Sequence, residues 1–176
     1  MSRESARGYR WRLTQEARCW VESSLRDTNQ LSDKLLLEEF DFFSKGLASA
    51  CYTFRLGGPN VPAHLRDTRL LARIALDREQ MTDERKNRLK LEIETLRSLE
   101  GCELPFSHPI VVNGVYDGDN QLIGMVCVMI PGMALDPKQH SESPAIIGRV
   151  AAAIHSIPSD KFSHLTSYAN CREHAQ

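Results

Sequence analysis

Leu70 to Leu99 reads LLARIALDREQMTDERKNRLKLEIETLRSL, and the fold turns on this stretch. It opens as an apolar run, LLARIAL, with one basic residue, Arg73, inside it, which is the pattern of a buried strand. Near Thr82 the pattern changes to a long amphipathic helix. Thr82 is a good N-cap, and Asp83 and Glu84 put negative charge in the first turn, where the helix dipole favours it. At about 100° per residue, Leu89, Ile93, Leu96 and Leu99 share one face. Glu92 falls on that same face, whereas Glu94 points roughly the opposite way. A carboxylate on an apolar stripe is costly without a partner, and Arg73 is the candidate.

Two readings of that pair stay open at this point. It can be a plain strand–helix salt bridge, or it can position a basic group for the phosphates of a nucleotide, as in kinase-like enzymes. The flanking sequence has to decide.

Upstream, residues 1–12 read as a frayed basic arm. In LTQEARCWVESSLRD, Leu13, Ala17, Trp20, Val21 and Leu25 fall at helical spacing, so an amphipathic helix packs there on a core. After the polar stretch TNQLSDK, LLLEEFDFFSKG with Phe40 and Phe42 favours a strand, and ASACYTFRL a second one. Between them SKGLAS reads as a hairpin connection, Ser44 to Ser49. Its small residues Gly46, Ala48 and Ser49 would let backbone N–H groups approach an anion. The Gly/Pro-rich GGPNVPAHLRDT, residues 57–68, reads as a mobile loop before the third strand.

Downstream, PIVVNGVY and QLIGMVCVMI read as two more strands joined by the turn residues Asp117, Gly118, Asp119 and Asn120. The second is apolar almost throughout and therefore internal to the sheet, and it stops at Pro131-Gly132. After a polar connection, a last helix from about Pro144 to Ile157 carries Ile146, Ile147, Val150, Ala151, Ile154 and His155. The tail from Ser159 shows no clear periodicity. The order is helix, three strands, helix, two strands, linker, helix. It is α+β, with a five-stranded antiparallel sheet and one long helix between strands three and four. The domain expectation is an N-terminal arm and helix over 1–34, the sheet lobe over 35–132, and a linker with the start of a second lobe over 133–176.

Composition narrows the function classes. With 22 basic and 23 acidic residues, the chain has no electrostatic footprint for nucleic acid or an anionic membrane. No apolar run reaches membrane-spanning length, and the polar start MSRESARGYRWR lacks a signal-peptide core. Cys19, Cys51, Cys102, Cys127 and Cys171 are odd in number, widely spaced and without a CxxC pair, which points to free thiols in a reducing cytoplasm. His164, Cys171 and His174 match no common zinc spacing and read as a polar tail. No metal site is expected in this chain.

Taken in order, these motifs resemble the N-terminal lobe of the aminoglycoside phosphotransferase family, which has a protein-kinase-like fold. SKGLASACYTF resembles the family's nucleotide loop, with Gly46 and Ser49 at the small-residue positions. LLARIAL resembles the third strand, whose basic residue contacts ATP phosphates, here Arg73. LKLEIETLRSL resembles the next helix, with Glu92 as the pairing carboxylate. LPFSHPI resembles the entry to the fourth strand, and VCVMIPG the hinge strand, so that the backbone of Val128, Met129 and Ile130 would meet adenine. RVAAAIHSIP resembles the helix opening the second lobe, where His155 has a packing role. The resemblance covers roughly residues 35–158. It implies a cofactor, ATP, and a nucleotide-binding set of Ser44, Gly46, Ala48, Ser49, Arg73, Glu92, Val128, Met129 and Ile130.

The sequence departs from that family where catalysis would reside. No HGD or HRD triplet occurs, and the aspartates after the hinge, Asp136 and Asp160, have no Asn four or five residues on. Without the HGDxxxxN loop and a later metal-binding Asp, this chain has no catalytic residue and nothing to hold Mg²⁺. The reading is therefore a nucleotide lobe plus the first helix of a truncated second lobe. A small-molecule acceptor (an antibiotic, sugar or amino alcohol) would bind through the missing part. The alternative is a stand-alone, non-catalytic binding or regulatory module. Apolar surface left open by a missing lobe implies self-association.

Overall fold

The structure, a computed structural model, describes residues 3–27, 34–45, 48–76, 81–131 and 142–172. The chain forms α1 (Arg3–Asp27), β1 (Leu36–Lys45), β2 (Ser49–Gly57), β3 (Leu70–Ala75), α2 (Asp83–Ser98), β4 (Val111–Tyr116), β5 (Leu122–Val128) and α3 (Ser143–His155), followed by a 3-10 segment, Ser159–Arg172. The class is α+β, as the order of patterns requires. Gly46, the 133–141 linker and His174 lie outside the described residues.

All five strands join one antiparallel sheet in the order β1-β2-β3-β5-β4. The apolar strand read as internal is so placed, with β5 between β3 and β4. The sheet order also explains the long helix. Leaving β3, the chain travels through α2 to the far edge, and the hairpin from β4 returns into the position beside β3. That hairpin turns where expected: the Asp117 carboxylate accepts the N–H groups of Asp119 and Gln121, and Asn120 takes a left-handed φ of 58°.

The core forms on one face of the sheet. Leu70, Ala72 and Ile74 alternate inward from β3, meeting Tyr52, Phe54, Ile123, Val126 and the α1 residues Ala17, Val21 and Leu25. Phe40 stacks on Tyr52 at 5.2 Å between ring centroids. The helical spacing read over 13–27 is therefore the packed face of α1, but the helix starts ten residues earlier. Residues 3–12, expected as a frayed arm, continue α1 because RESARGYRWR contains no proline and several good helix formers.

α1 also bridges the sheet's two edges. The Arg18 guanidinium donates to the Leu37 carbonyl of β1 at 2.9 Å. At the other edge, the Ser24 hydroxyl accepts the Tyr116 N–H of β4 at 2.8 Å, and the Asn113 amide donates to the Ser24 carbonyl. Edge strands carry unpaired backbone groups, and here side chains of one helix satisfy some of them.

Two expectations about connections change. The strands run further into the SKGLAS stretch than a six-residue turn allows: Ser44 pairs with Cys51 and Lys45 with Ala50, so Ser44 and Ser49 are strand residues. The 57–68 segment, expected to be mobile, is tied down by apolar burial. Val61 and Leu65 reach the core, and the Leu65 N–H closes a turn onto the Pro62 carbonyl.

The chain divides into two compact units, one of residues 1–93 and 111–129, the other of 94–110 and 130–176. The first unit takes in α1, which the sequence reading had set apart over 1–34. The second takes in the 94–110 stretch, which it had assigned to the sheet lobe. No helix among the described residues is long and apolar enough to cross a membrane.

Candidate functional site

Strand alternation places Leu71, Arg73 and Ala75 on the sheet face opposite the α1 core, since Leu70, Ala72 and Ile74 face inward. Arg73 pairs with Cys51 of β2 and Met125 of β5, so it stands on the central strand of the sheet. α2 begins as read: the Arg85 N–H donates to the Thr82 hydroxyl at 3.4 Å, and the Lys86 N–H to the Thr82 carbonyl. About two turns further along, the Glu92 carboxylate accepts from the Arg73 guanidinium, joining helix and strand. The pair predicted from periodicity forms.

Its surroundings differ from the expectation. The Arg73 and Glu92 side chains are 34% and 42% exposed, so the pair is half-buried and opens to solvent. Ile93 is the buried residue of α2, with Leu89, Leu96 and Leu99 only partly covered. The Glu92 carboxylate faces a cavity instead of being pressed into a core.

That cavity, about 300 Å³, is lined by Arg73, Glu92, Ala48 and Ser49, together with Arg85 and Arg88 of α2 and Gly124 of β5. It falls at the lower end of the range for small-molecule sites. At Gly124 the β5 and β3 backbones leave no room for a side chain: a Cβ added there would lie 2.3 Å from the Arg73 carbonyl oxygen. The absence of a side chain at Gly124 thus helps to set the strand spacing beneath the Arg73 side chain.

Of the residues singled out by sequence, the structure brings Ala48, Ser49, Arg73 and Glu92 together. Ser44 sits in β1 and does not line the cavity. Val128 ends β5, and Met129 donates its N–H to the Arg69 carbonyl at 2.9 Å, so that donor is engaged within the sheet. Ile130 belongs to the second compact unit. Four of the residues expected at phosphates converge, Ser44 does not, and those expected at a base do not line this cavity.

Arg85 and Arg88 were missed by sequence reading. Their signal was present: positions 85, 88 and 92 are spaced i, i+3 and i+7, which puts two guanidiniums on the same helical side as Glu92. Arg88 is held by Glu84 at 2.6 Å. Arg85 has no carboxylate partner among the described residues.

Cys51, opposite Arg73 on β2, and Cys127, opposite Leu71 on β5, lie on this face. Cys127 is buried, with its sulfur 3.8 Å from the Leu71 carbonyl. Burial pushes its thiol pKa above the ordinary value, while the Arg73 charge pulls in the opposite direction. Cys127 is thus a packed thiol, not an activated one.

In the second unit, the Ser98 hydroxyl lies 3.2 Å from His164 Nε2, and Glu94, Arg97 and Lys161 border the same depression. The tail expected to be irregular therefore holds a 3-10 segment with a side-chain contact. Cys19, Cys51, Cys102 and Cys127 are free thiols, as their spacing suggested. Compared with known proteins, the chain matches no family model and no curated protein.

Proposed function

We propose that the Arg73–Glu92 cavity binds the phosphates of ATP, in the manner of the nucleotide lobe of an aminoglycoside-phosphotransferase-like small-molecule kinase. The observation that carries this reading is the meeting of Arg73, Glu92 and Ser49 around one cavity. In that role Arg73 supplies a fixed positive charge and a planar fork of donors suited to phosphate oxygens. Glu92 limits the directions the guanidinium can take, and Ala48 and Ser49 leave room for close approach of an anion.

The donor set suits a phosphate chain better than a divalent cation. Among the described residues, Glu92 is the carboxylate lining the cavity, and Arg73 already holds it. Mg²⁺ is bound through oxygen ligands, with one or two carboxylates plus phosphates, and the described residues of this pocket offer no free one. No catalytic step is therefore assigned to residues 1–176. In a complete enzyme of this kind, an HGDxxxxN loop would supply the base and metal ligands for transfer to a hydroxyl of an antibiotic, sugar or amino alcohol.

The absence of that loop from the sequence equally favours a second reading, a non-catalytic nucleotide-binding or regulatory module. Titration calorimetry with ATP tests what the two share. ATP should bind, and Arg73→Ala should weaken binding about tenfold or more, as expected for losing a hydrogen bond to a charged group. No ATP binding to the folded chain would sink both readings. Reading the coding DNA beyond Gln176 separates them: a following HGDxxxxN segment favours the kinase.

A further inference from the structure

Arg85 and Arg88 play no part in the strand–helix pair, yet they line the same cavity. We infer that they form a second anchoring point for the far end of a polyphosphate chain. The charge of that chain is then partly neutralised by guanidinium groups, without a divalent cation. This deepens the phosphate reading above and rests on it.

The charge count is the first support. Among the described residues, three arginines and one glutamate line the cavity, and that glutamate is engaged by Arg73. A net positive pocket of this kind selects a multiply charged anion. The availability of the two helix arginines is the second support. Among the described residues Arg88 pairs with Glu84, through side chains 77% and 73% exposed, and such a pair exchanges readily for a better partner. The guanidinium of Arg85 has no carboxylate partner among the described residues.

Spacing gives the third support. At about 1.5 Å rise per residue, Arg85 stands roughly 10 Å along the axis from Glu92, the point at which Arg73 reaches α2. Positive charge is therefore spread along the cavity. A monophosphate would touch one end of it, whereas a triphosphate chain can reach from Arg73 toward Arg88 and Arg85. Arginine forks grip phosphate oxygens two at a time, so each end holds a separate phosphate.

The shared ligand chemistry is a triphosphate chain, whether carried by a nucleotide or free as tripolyphosphate. Calorimetric titrations of ATP, AMP and tripolyphosphate, each in EDTA and in excess Mg²⁺, test it on the 176-residue chain. The variants are Arg73→Ala, the single Arg85→Gln and the double Arg85→Gln/Arg88→Gln, each with its thermal midpoint checked. ATP and tripolyphosphate should bind in EDTA, and Mg²⁺ should not strengthen them. The double variant should weaken both about tenfold, AMP by less than about threefold, and Arg85→Gln alone should move in the same direction. Binding seen only with Mg²⁺, or an equal loss for AMP and ATP, overturns the inference. If Arg73→Ala abolishes ATP binding while the helix variants leave it intact, the nucleotide proposal stands and this one falls. If tripolyphosphate binds through Arg85 and Arg88 but ATP binds no better than AMP, the anion site stands and the nucleotide reading falls. If neither ATP nor tripolyphosphate binds, both fall.

Discussion

At the scale of single residues, exposure decides what the Arg73–Glu92 pair is worth. Breaking a buried pair costs about 3–5 kcal/mol, whereas an exposed one contributes about 0–1. With side chains 34% and 42% exposed, this pair belongs nearer the second class. Glu92→Ala should therefore lower stability by about 1 kcal/mol or less, close to the effect of Glu94→Ala in parallel thermal unfolding. A loss above about 3 kcal/mol for Glu92→Ala would mean that the carboxylate is desolvated in solution. Gly124→Ala should cost more, because its Cβ would meet the Arg73 backbone, which cannot move aside like a side chain. About 1–3 kcal/mol is expected, with weaker ATP binding in the same variant. Cys127 adds a pH dependence. Burial raises its folded-state pKa above the unfolded value, so its contribution to stability is fully present below the ordinary thiol pKa. As pH rises past that point the unfolded chain loses the proton first, and stability declines until the folded pKa is passed. Cys127→Ser should flatten this alkaline loss in urea unfolding curves taken between neutral and high pH, and a slope unchanged by the substitution would contradict the assignment.

At the scale of elements, α1 acts as a strap. Its buried residues Ala17, Val21 and Leu25 fix its position, and its polar side chains then reach backbone groups at both edges of the sheet. Ser24 is the sharpest test of that role, being almost fully buried with its hydroxyl accepting the Tyr116 N–H. Ser24→Ala deletes the acceptor and leaves a backbone donor without it, at a cost of about 1–3 kcal/mol. Urea unfolding should show a lower midpoint, and hydrogen exchange should show faster exchange at Tyr116 than at internal strand positions. No change at Tyr116 would mean that another acceptor takes over. α2 works differently. It has one well-buried residue, and much of its remaining surface is given to charged groups around the cavity. An element held by little packing tolerates functional side chains, because few of its positions are reserved for a core.

For the whole molecule, the second unit is described by what it leaves uncovered. α3 presents Ile147 and Ile154 at 56% and 49% exposure, two turns apart on one side of the helix. Ile110 and Ile130 of the same unit are also exposed. Exposed apolar side chains favour association in water. Light scattering should show mass rising with concentration, and Ile147→Lys with Ile154→Lys should reduce it. A monomer at all concentrations would oppose this. Phosphoryl transfer is also a whole-molecule property. Lacking an HGDxxxxN loop, the chain should give no product above a protein-free control with ATP, Mg²⁺ and aminoglycoside, macrolide or choline acceptors.

By itself the sequence determined the kinds of elements and one side-chain pair. Period-two alternation in LLARIA and a 3.6-residue stripe from Leu89 to Leu99 are local consequences of backbone geometry, so they can be read without a fold. The same stripe selected Glu92 over Glu94, because position on a helix follows from spacing alone. The tertiary structure decided everything that depends on separate elements coming together. Whether Glu92 is buried depends on how closely α2 lies on the sheet, which no periodicity records. The return of the β4–β5 hairpin to a place beside β3 is a long-range pairing, and it is what brings Gly124 under Arg73. Arg85 and Arg88 read as ordinary solvent-facing charges on a helix until β3, β5 and the start of β2 supply more of the cavity wall. Charge becomes a site only when several chain segments converge on it.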